Sequence, residues 1–403
     1  MLVWFRCKNF SSFKDEAILD MRAVKSYKEH PYNLIIQDDK DDLIKVASIY
    51  GANASGKSNF VGAYSNFRNI IQNSFQNNNK ENEQESVLEE NYFPFFLNSK
   101  SKNGDTEFEA VVREEGKEYQ YGFVYNQDEI KEEWLYKRSS KNSYTTKIFE
   151  RKQQQIDLGA SVKQACEKYK DAIDKDVLAL SFFSSLNLKN QVFKSAISNM
   201  IGILPIDSSE TMEQKLLDRY CQYVFNEEEK LQLLAFIKAI DVGIVDIEVI
   251  QNQNNRKYEI FLFHLNEKNE KQRFHMSLES AGTIKAISLY TVMKMAATFN
   301  KGIIIDEFNT KLHPLLQKYL IDRFYDGTES GQLIYTTHDT CLLDKSYMRR
   351  DQIWFVEKND RGESSLFSLS EFKVRNDRSF EKDYLGGVYG AIPILKDFSF
   401  TEA

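Results

Sequence analysis

Gly51-Ala52-Asn53-Ala54-Ser55-Gly56-Lys57-Ser58 is the stretch that decides how this 403-residue chain is read. It satisfies G-x-x-x-x-G-K-[ST], the spacing of a phosphate-cradling loop. Glycines at both ends permit the tight turn that aims successive backbone N–H groups at an anion. Lys57 supplies a mobile positive charge for the β- and γ-phosphates, and Ser58 a hydroxyl for Mg²⁺. A helix that follows adds the positive end of its dipole. An isolated match of this kind is weak, because an ordinary glycine-rich turn also produces it. The flanks decide between the two readings. Leu43-Ile44-Lys45-Val46-Ala47-Ser48-Ile49-Tyr50 predicts a buried strand before the loop. Residues 59–75 predict a helix after it, with Phe60, Ala63, Phe67, Ile70 and Ile71 along one stripe.

Further polar groups stand at the ends of two other apolar runs. Gly302-Ile303-Ile304-Ile305-Asp306-Glu307 predicts a buried strand ending in two carboxylates. Gln332-Leu333-Ile334-Tyr335-Thr336-Thr337-His338-Asp339 predicts another, and residues 315–325 between them predict a helix. This β–α–β run implies a parallel sheet with functional residues at the C-terminal strand ends. Beside a phosphate loop, Asp306 suits the Mg²⁺ shell and Glu307 suits a general base that polarises the attacking water. The plainer alternative is a pair of solvated strand-end residues. His338 is placed to contact a γ-phosphate, although a single histidine is more often structural. Ser280, Gly282 and the helix over residues 284–298 form either a second anion site or a simple helix cap.

Composition narrows the class. Hydrophobic residues at 42% supply a sizeable core, and 28% charged residues suit a soluble protein. A formal net charge of −7 argues against nucleic-acid binding by bulk electrostatics. Cys7, Cys166, Cys221 and Cys341 form no CxxC pair and read as reduced thiols. The chain has no run of about 18 apolar residues and no signal-like N-terminus, so a cytoplasmic location is expected, with no membrane contact.

Taken in order, residues 1–20 alternate short apolar runs and turns, as in a hairpin or meander. Residues 76–83, rich in Asn and Glu, predict a mobile surface loop. Residues 106–137 alternate again and predict an antiparallel sheet. The texture turns helical from residue 139 to 243, notably over 157–186 and 211–240, where Leu231, Leu234, Ala235, Ile237 and Lys238 suggest one stripe. This divides the chain into an N-terminal part (1–138), a mainly helical insertion (139–243) and a C-terminal part (244–403). Residues 245–265 return to strand-like alternation, 352–356 predict a further strand, and 379–390 a short helix followed by a glycine-rich turn.

In this order the motifs resemble the ATP-binding-cassette class of ATPase, in particular its SMC and RecF branch. Asn53 is common in the phosphate loop of that branch. Asp306-Glu307 matches its Walker B, His338 its switch histidine, and Ser280-Ala281-Gly282-Thr283 the signature that is Ser-Gly-Gly-Gln in transporters. Leu312-His313-Pro314 and the ending Tyr384-Leu385-Gly386-Gly387-Val388-Tyr389-Gly390-Ala391-Ile392-Pro393 resemble the small ATPases of bacterial abortive-infection and phage-defence operons, of the AbiL, RloA and PARIS kind. The resemblance implies an α/β fold: an ABC-type P-loop NTPase head, with a parallel core, an antiparallel subdomain and the helical insertion. It implies ATP and Mg²⁺ as cofactors, with ATP held between residues 51–58 of one subunit and residues 280–283 of another. A homodimer or higher oligomer follows. The loop at Asn309-Thr310-Lys311 departs from the acidic and serine residues common there.

On this resemblance the expected role is regulation of a separate toxic effector, a nuclease encoded nearby. The competing expectation is a RecF-like repair ATPase that clamps DNA, against which the acidic balance weighs. A nuclease domain on the same chain is not expected, since about 65 residues follow His338. A transporter subunit fits less well, because the signature is remote from Ser-Gly-Gly-Gln.

Overall fold

A computed structural model describes residues 1–37, 40–75, 86–139, 144–207, 226–241, 243–251, 258–327, 330–374 and 378–393. The expected loop at 76–83, the residues 211–225 and Cys221 lie outside them. Every residue of the strand Val46–Tyr50 is buried, the signature of a central strand in a parallel sheet covered on both faces. The expected strand is shorter at its start. Leu43–Ile44 pairs instead with Leu34–Ile35 in a small antiparallel ribbon, and Lys45 separates the two segments.

Val46–Tyr50 sits inside a six-stranded sheet, ordered Leu204–Ile206, Gly302–Ile305, Gln332–Thr337, Val46–Tyr50, Ile353–Lys358 and Ser364–Ser368. All neighbours are parallel except the last pair. Ile304 stands opposite Ile334, and Thr337 opposite Tyr50, so the strand ends bearing the predicted polar groups line up on one edge. The helix Pro314–Gly327 connects Gly302–Ile305 with Gln332–Thr337, as the β–α–β reading requires.

The second sheet is antiparallel and has seven strands, ordered Gln155–Leu158, Thr145–Lys152, Ile130–Ser139, Lys117–Tyr125, Thr106–Glu114, Leu2–Lys8 and Ala17–Asp20. The helix Lys57–Asn73 lies against it. Phe67 stacks on Phe123 at 5.7 Å, and Tyr64 meets Phe5 edge-on at 4.9 Å. Phe60, Ala63, Phe67, Ile70 and Ile71 are all buried, as the stripe predicts. Fully burying one such aromatic side chain is worth about 1.5–3 kcal/mol, so this contact holds the loop's own helix rigidly between the sheets.

Residues 139–243 hold strands as well as helices. Thr145–Lys152 and Gln155–Leu158 extend the antiparallel sheet, so residues 157–158, expected as helix, are strand. Leu204–Ile206 is an edge strand of the parallel sheet. The helices Ala160–Cys166, Ala179–Ser185 and Val192–Ile201 bury Phe183 and Phe193 in the same core as Phe149 and Phe67. They are joined to the sheet by a wholly buried pair. Glu133 accepts the N–H groups of Ala179 and Leu180 and the Tyr121 hydroxyl, while Arg151 donates to the Val177 carbonyl. Burial pushes the Glu133 carboxyl up, against the pull of Arg151. In the helix Glu227–Ile240 the buried face is Leu233, Phe236 and Ile237. Leu231, Ala235 and Lys238 are exposed, which corrects the predicted stripe. Several leucines stand close together there, and two stripes fit the same period. Packing against Tyr290, stacked on Phe236 at 4.3 Å, selects the other one.

A three-stranded sheet, Ile244–Gln251, Tyr258–Leu265 and Lys271–His275, precedes the long helix Ala281–Phe299. The short helix Phe380–Leu385 closes the described chain, with Phe355 stacked on Tyr384 at 5.3 Å.

Candidate functional site

The loop of residues 51–58 leaves the buried end of Val46–Tyr50 and turns directly into Lys57–Asn73. Gly56 takes φ +117°, a conformation that L side chains rarely adopt. A Cβ there would stand 2.5 Å from Ser364 Oγ and 2.7 Å from Ser12 Oγ. A Cβ on Gly51 would meet the Val356 carbonyl at 2.5 Å. Both glycines are therefore required by geometry. The loop is held from outside by residues distant in sequence. Ser364 Oγ donates to the Ser55 carbonyl at 2.5 Å, and Asn59 Nδ2 donates to Ser12 Oγ at 2.7 Å. Neither Ser12 nor Ser364 has a sequence signal, because their role depends on a turn and a distant strand meeting over the loop.

Gly56 caps the helix without any side-chain hydrogen bond, and the first turn carries no acid. The helix end thus keeps its positive character facing the loop. Ser55 Oγ is buried and has no partner, the kind of orphan that a bound anion or its water satisfies. Ser58 is exposed at the start of the helix. Lys57 is buried, and Nζ donates to the carbonyls of Gly51 at 2.8 Å and Ala52 at 2.9 Å. Burial lowers its pKa, while Asp306 and Glu307 pull in the opposite direction. These carboxylates are therefore electrostatic neighbours of the loop lysine.

The strand Gly302–Ile305 stops before the two acids, which sit in the turn beyond it. Asp306 is buried, and the Thr336 hydroxyl donates to its Oδ1 at 2.5 Å. The same hydroxyl accepts the Glu307 N–H at 2.8 Å. Glu307 has φ +48°, a left-handed conformation costing a non-glycine residue about 1–2 kcal/mol. Thr310 Oγ1 donates to Glu307 Oε2 at 3.2 Å. One threonine on the neighbouring strand thus fixes the aspartate and the strained backbone beside it.

His338 is exposed at the end of Gln332–Thr337 and faces Asn309. The hydrogen-bond chain orients this contact. Thr337 Oγ1 accepts the Asp339 N–H at 3.0 Å, so its proton goes to Asn309 Oδ1 at 2.9 Å. The Asn309 side-chain amide faces His338 Nε2 at 3.2 Å. Sequence reading marked position 309 only as a departure from an acidic pattern. Thr336 and Thr337 read as strand residues, and their roles come from pairing with Gly302–Ile305.

A cleft of about 840 Å³ opens beside the loop. Gly51, Asn53, Ser55 and His338 line it together with Glu357, Tyr384 and Ala391, while Lys57, Asp306 and Glu307 are not among its lining residues. Glu357 accepts the Ala391 N–H at 3.1 Å, and the Tyr384 hydroxyl donates to the Ala391 carbonyl at 3.0 Å. The chain's last described turn is thereby pinned over the phosphate loop.

Ser280, Ala281, Gly282 and Thr283 are placed differently. Ser280 is the N-cap of Ala281–Phe299, accepting the Thr283 N–H at 3.1 Å. Thr283 Oγ1 donates to Asp241 Oδ2 at 3.1 Å. Ser280 and Ala281 are exposed, and a Cβ on Gly282 would stand 2.9 Å from the Lys311 carbonyl. The segment rests on the loop that follows Glu307, and its hydrogen bonds are those of a helix cap.

A phosphate loop ending a central parallel strand, two acids at the end of the next strand but one and an attached antiparallel sheet make this an ABC-type P-loop NTPase head. The chain belongs to the family described as "AAA domain, putative AbiEii toxin, Type IV TA system", whose model matches residues 46–344. No curated protein matches the sequence significantly. Among solved structures, the SMC head domain from Thermotoga maritima is similar at 14% identity and a TM-score of 0.44, over 91% of this chain and 98% of that one. An Smc head bound to the C-winged helix domain of ScpA matches at 14% identity and 0.46, over 91% and 97%. An Smc head with an extended coiled coil, bound to the C-terminal domain of ScpA derived from Pyrococcus furiosus, matches at 12% identity and 0.43, over 96% and 99%. Among the described residues, no helix is long and apolar enough to cross a membrane.

Proposed function

We propose that the chain is a Mg²⁺-dependent ATPase that closes as an ATP-bridged homodimer and regulates a separate toxic effector in bacterial anti-phage defence. The observation that carries the ATPase reading is the convergence of Lys57, Asp306 and Glu307. Two segments far apart in sequence place a buried lysine, a buried aspartate and a partly exposed glutamate at one sheet edge. Gly51, Ala52, Asn53, Ala54, Ser55 and Gly56 would hold the phosphates by their backbone, with Lys57 as counter-charge. Ser58 and Asp306 would hold Mg²⁺, which supplies charge neutralisation for phosphoryl transfer. Glu307 would orient and deprotonate water, and the strained backbone fixed by Thr336 holds it in place. His338, with Nε2 engaged by Asn309, would sense the γ-phosphate by exchanging partners. Residues 280–283 of a second copy would complete the site, for which the exposure of Ser280 and Ala281 leaves room.

The effector assignment rests on the family, whose description names a toxin–antitoxin system. Free Cys7 and Cys166, both buried, fit a reducing cytoplasm. The deciding experiment is the mass of the purified chain in solution with and without ATP and Mg²⁺, for wild type and Glu307→Gln. ATP-dependent doubling, trapped by Glu307→Gln and lost in Lys57→Ala, is expected. A mass indifferent to ATP in all three would overturn the sandwich.

A further inference from the structure

A second cleft, of about 540 Å³, lies away from the phosphate loop, over the face of the antiparallel sheet that the Lys57–Asn73 helix does not cover. The side chains around it come from the strands Leu2–Lys8, Thr106–Glu114, Lys117–Tyr125 and Ile130–Ser139, and from the segment leading to Leu43–Ile44. Cross-strand register builds it. Arg113 stands opposite Glu118, Glu118 opposite Arg138, and Arg138 opposite Thr145. One residue row along, Trp4 stands opposite Val111, Val111 opposite Gln120, and Gln120 opposite Tyr136.

Charge is the feature of this cleft. Arg22, Lys25, Lys40, Arg113, Lys137 and Arg138 line it, against the carboxylates of Asp41 and Glu118, with Arg22 held by a third, Asp20, just outside the lining. The centre is more unbalanced than the rim. Arg113 Nη2 lies 2.8 Å from Glu118 Oε1, and Lys40 Nζ lies 2.7 Å from Glu118 Oε2. Arg138 Nε reaches the same Oε2 at 3.5 Å. One carboxylate therefore faces three cations, and the Arg113 and Lys40 side chains keep only 2% and 7% of their exposure. Glu118 is held below the usual carboxylate range by Lys40 and Arg113, although burial opposes this most strongly. Buried cations in excess of their counter-ions are costly, and a structure that keeps them gains from an anion that completes the set. At the rim, Lys25 meets Asp41 at 2.8 Å, an exposed pair that water readily dissolves. Trp4 and Tyr136, both half-buried, add ring surface beside the cations.

We infer that this cleft is a second binding site, for a small phosphorylated molecule of nucleotide size, with Arg113, Lys40 and Arg138 on its phosphates and Trp4 or Tyr136 beside its apolar part. The volume falls within the range of small-molecule sites, and the planar forks of Arg113 and Arg138 match phosphate oxygens. The site is separate from residues 51–58 and does not depend on ATP hydrolysis. It gives the protein a way to read a soluble phosphorylated signal on the opposite face of the sheet that carries the nucleotide loop's helix.

The test uses the full chain carrying Lys57→Ala, which removes phosphate-loop binding, with tripolyphosphate as the probe at low salt. Calorimetry and thermal melting are expected to show saturable binding and a raised Tm. Arg138→Ser and Arg22→Ser, both at exposed positions, should each weaken that binding about tenfold while leaving the probe-free Tm within about 2 °C. An oligothymidylate of eight nucleotides is the second probe. Tighter binding of the oligonucleotide than of tripolyphosphate would overturn the small-molecule assignment in favour of a nucleic-acid strand. Asp38 and Asp39 precede Lys40 in the sequence and lie outside the described residues. Tripolyphosphate that leaves Tm unchanged in every variant overturns the proposal.

Discussion

Residues 51–58 and residues 280–283 both stand at the start of a long helix, and the two helix ends are finished in opposite ways. At Lys57–Asn73 the cap is Gly56, no side chain takes up the first N–H groups, and Ser55 Oγ lacks a partner. At Ala281–Phe299 the cap is Ser280, whose Oγ takes the Thr283 N–H, and Thr283 in turn bonds Asp241. The first end has no side-chain cap, while the second has a serine cap on one of its N–H groups. An unsatisfied helix end inside a rigid frame is a binding site in the isolated chain. A satisfied one becomes a site only when a ligand or a second copy exchanges its cap bonds for better ones. This is why the phosphate loop reads as a site from one chain, and the signature segment does so only through its exposure.

The largest effect expected is at the open end. Lys57→Ala should lower ATP affinity by about 100-fold, because two charge-assisted contacts of about 1.5 kcal/mol each are lost. Titration calorimetry measures this directly, and an undiminished affinity would remove residues 51–58 as the nucleotide site.

Next is the acid pair at the end of Gly302–Ile305. Glu307→Gln should bind ATP normally and lose turnover by about 10²–10³-fold, the range of a general base. Steady-state phosphate release tests it, and normal turnover would disqualify Glu307. Thr336→Val is a smaller and more informative change. It keeps the shape while deleting the hydroxyl that donates to Asp306 and accepts from Glu307. Turnover should fall about tenfold, with a raised Mg²⁺ requirement and unchanged ATP binding in chelator. If the Mg²⁺ requirement is unmoved, Thr336 serves the strand pairing alone.

The sequence showed the strand ends around the phosphate loop more completely than the frame that holds them. Residues 51–58, Asp306, Glu307 and His338 were legible because a short fixed spacing, set after an apolar strand, leaves a local signature. The parallel sheet was legible because its strands are buried on both faces and so read as unbroken apolar runs. Thr336, Asn309, Ser12 and Ser364 were not legible. Their work depends on which strands become neighbours, and Ser12 meets Ser364 across 352 positions of chain. Residues 139–243 were read as mainly helical because Lys and Glu suit exposed positions of helices and strands alike. Thr145–Lys152 declares itself only by pairing with Ile130–Ser139.

The smallest effect, and the sharpest test of the contrast, lies at the closed end. Ser280→Ala removes a cap, and the chain should lose about 1 kcal/mol of stability in denaturant unfolding. A cap with no further duty predicts that loss and nothing else. A segment that also meets ATP on a second copy predicts weaker ATP-driven association as well, beyond what the lost stability explains. Ser280→Arg separates the two consequences. Ser280 is exposed, so the larger side chain fits the monomer, and monomer ATP affinity should be unchanged. Sedimentation with ATP and Mg²⁺ in the Glu307→Gln background should then show monomer where the parent shows dimer. Dimer that survives Ser280→Arg would make residues 280–283 a helix cap alone and move the intersubunit contact elsewhere on the head.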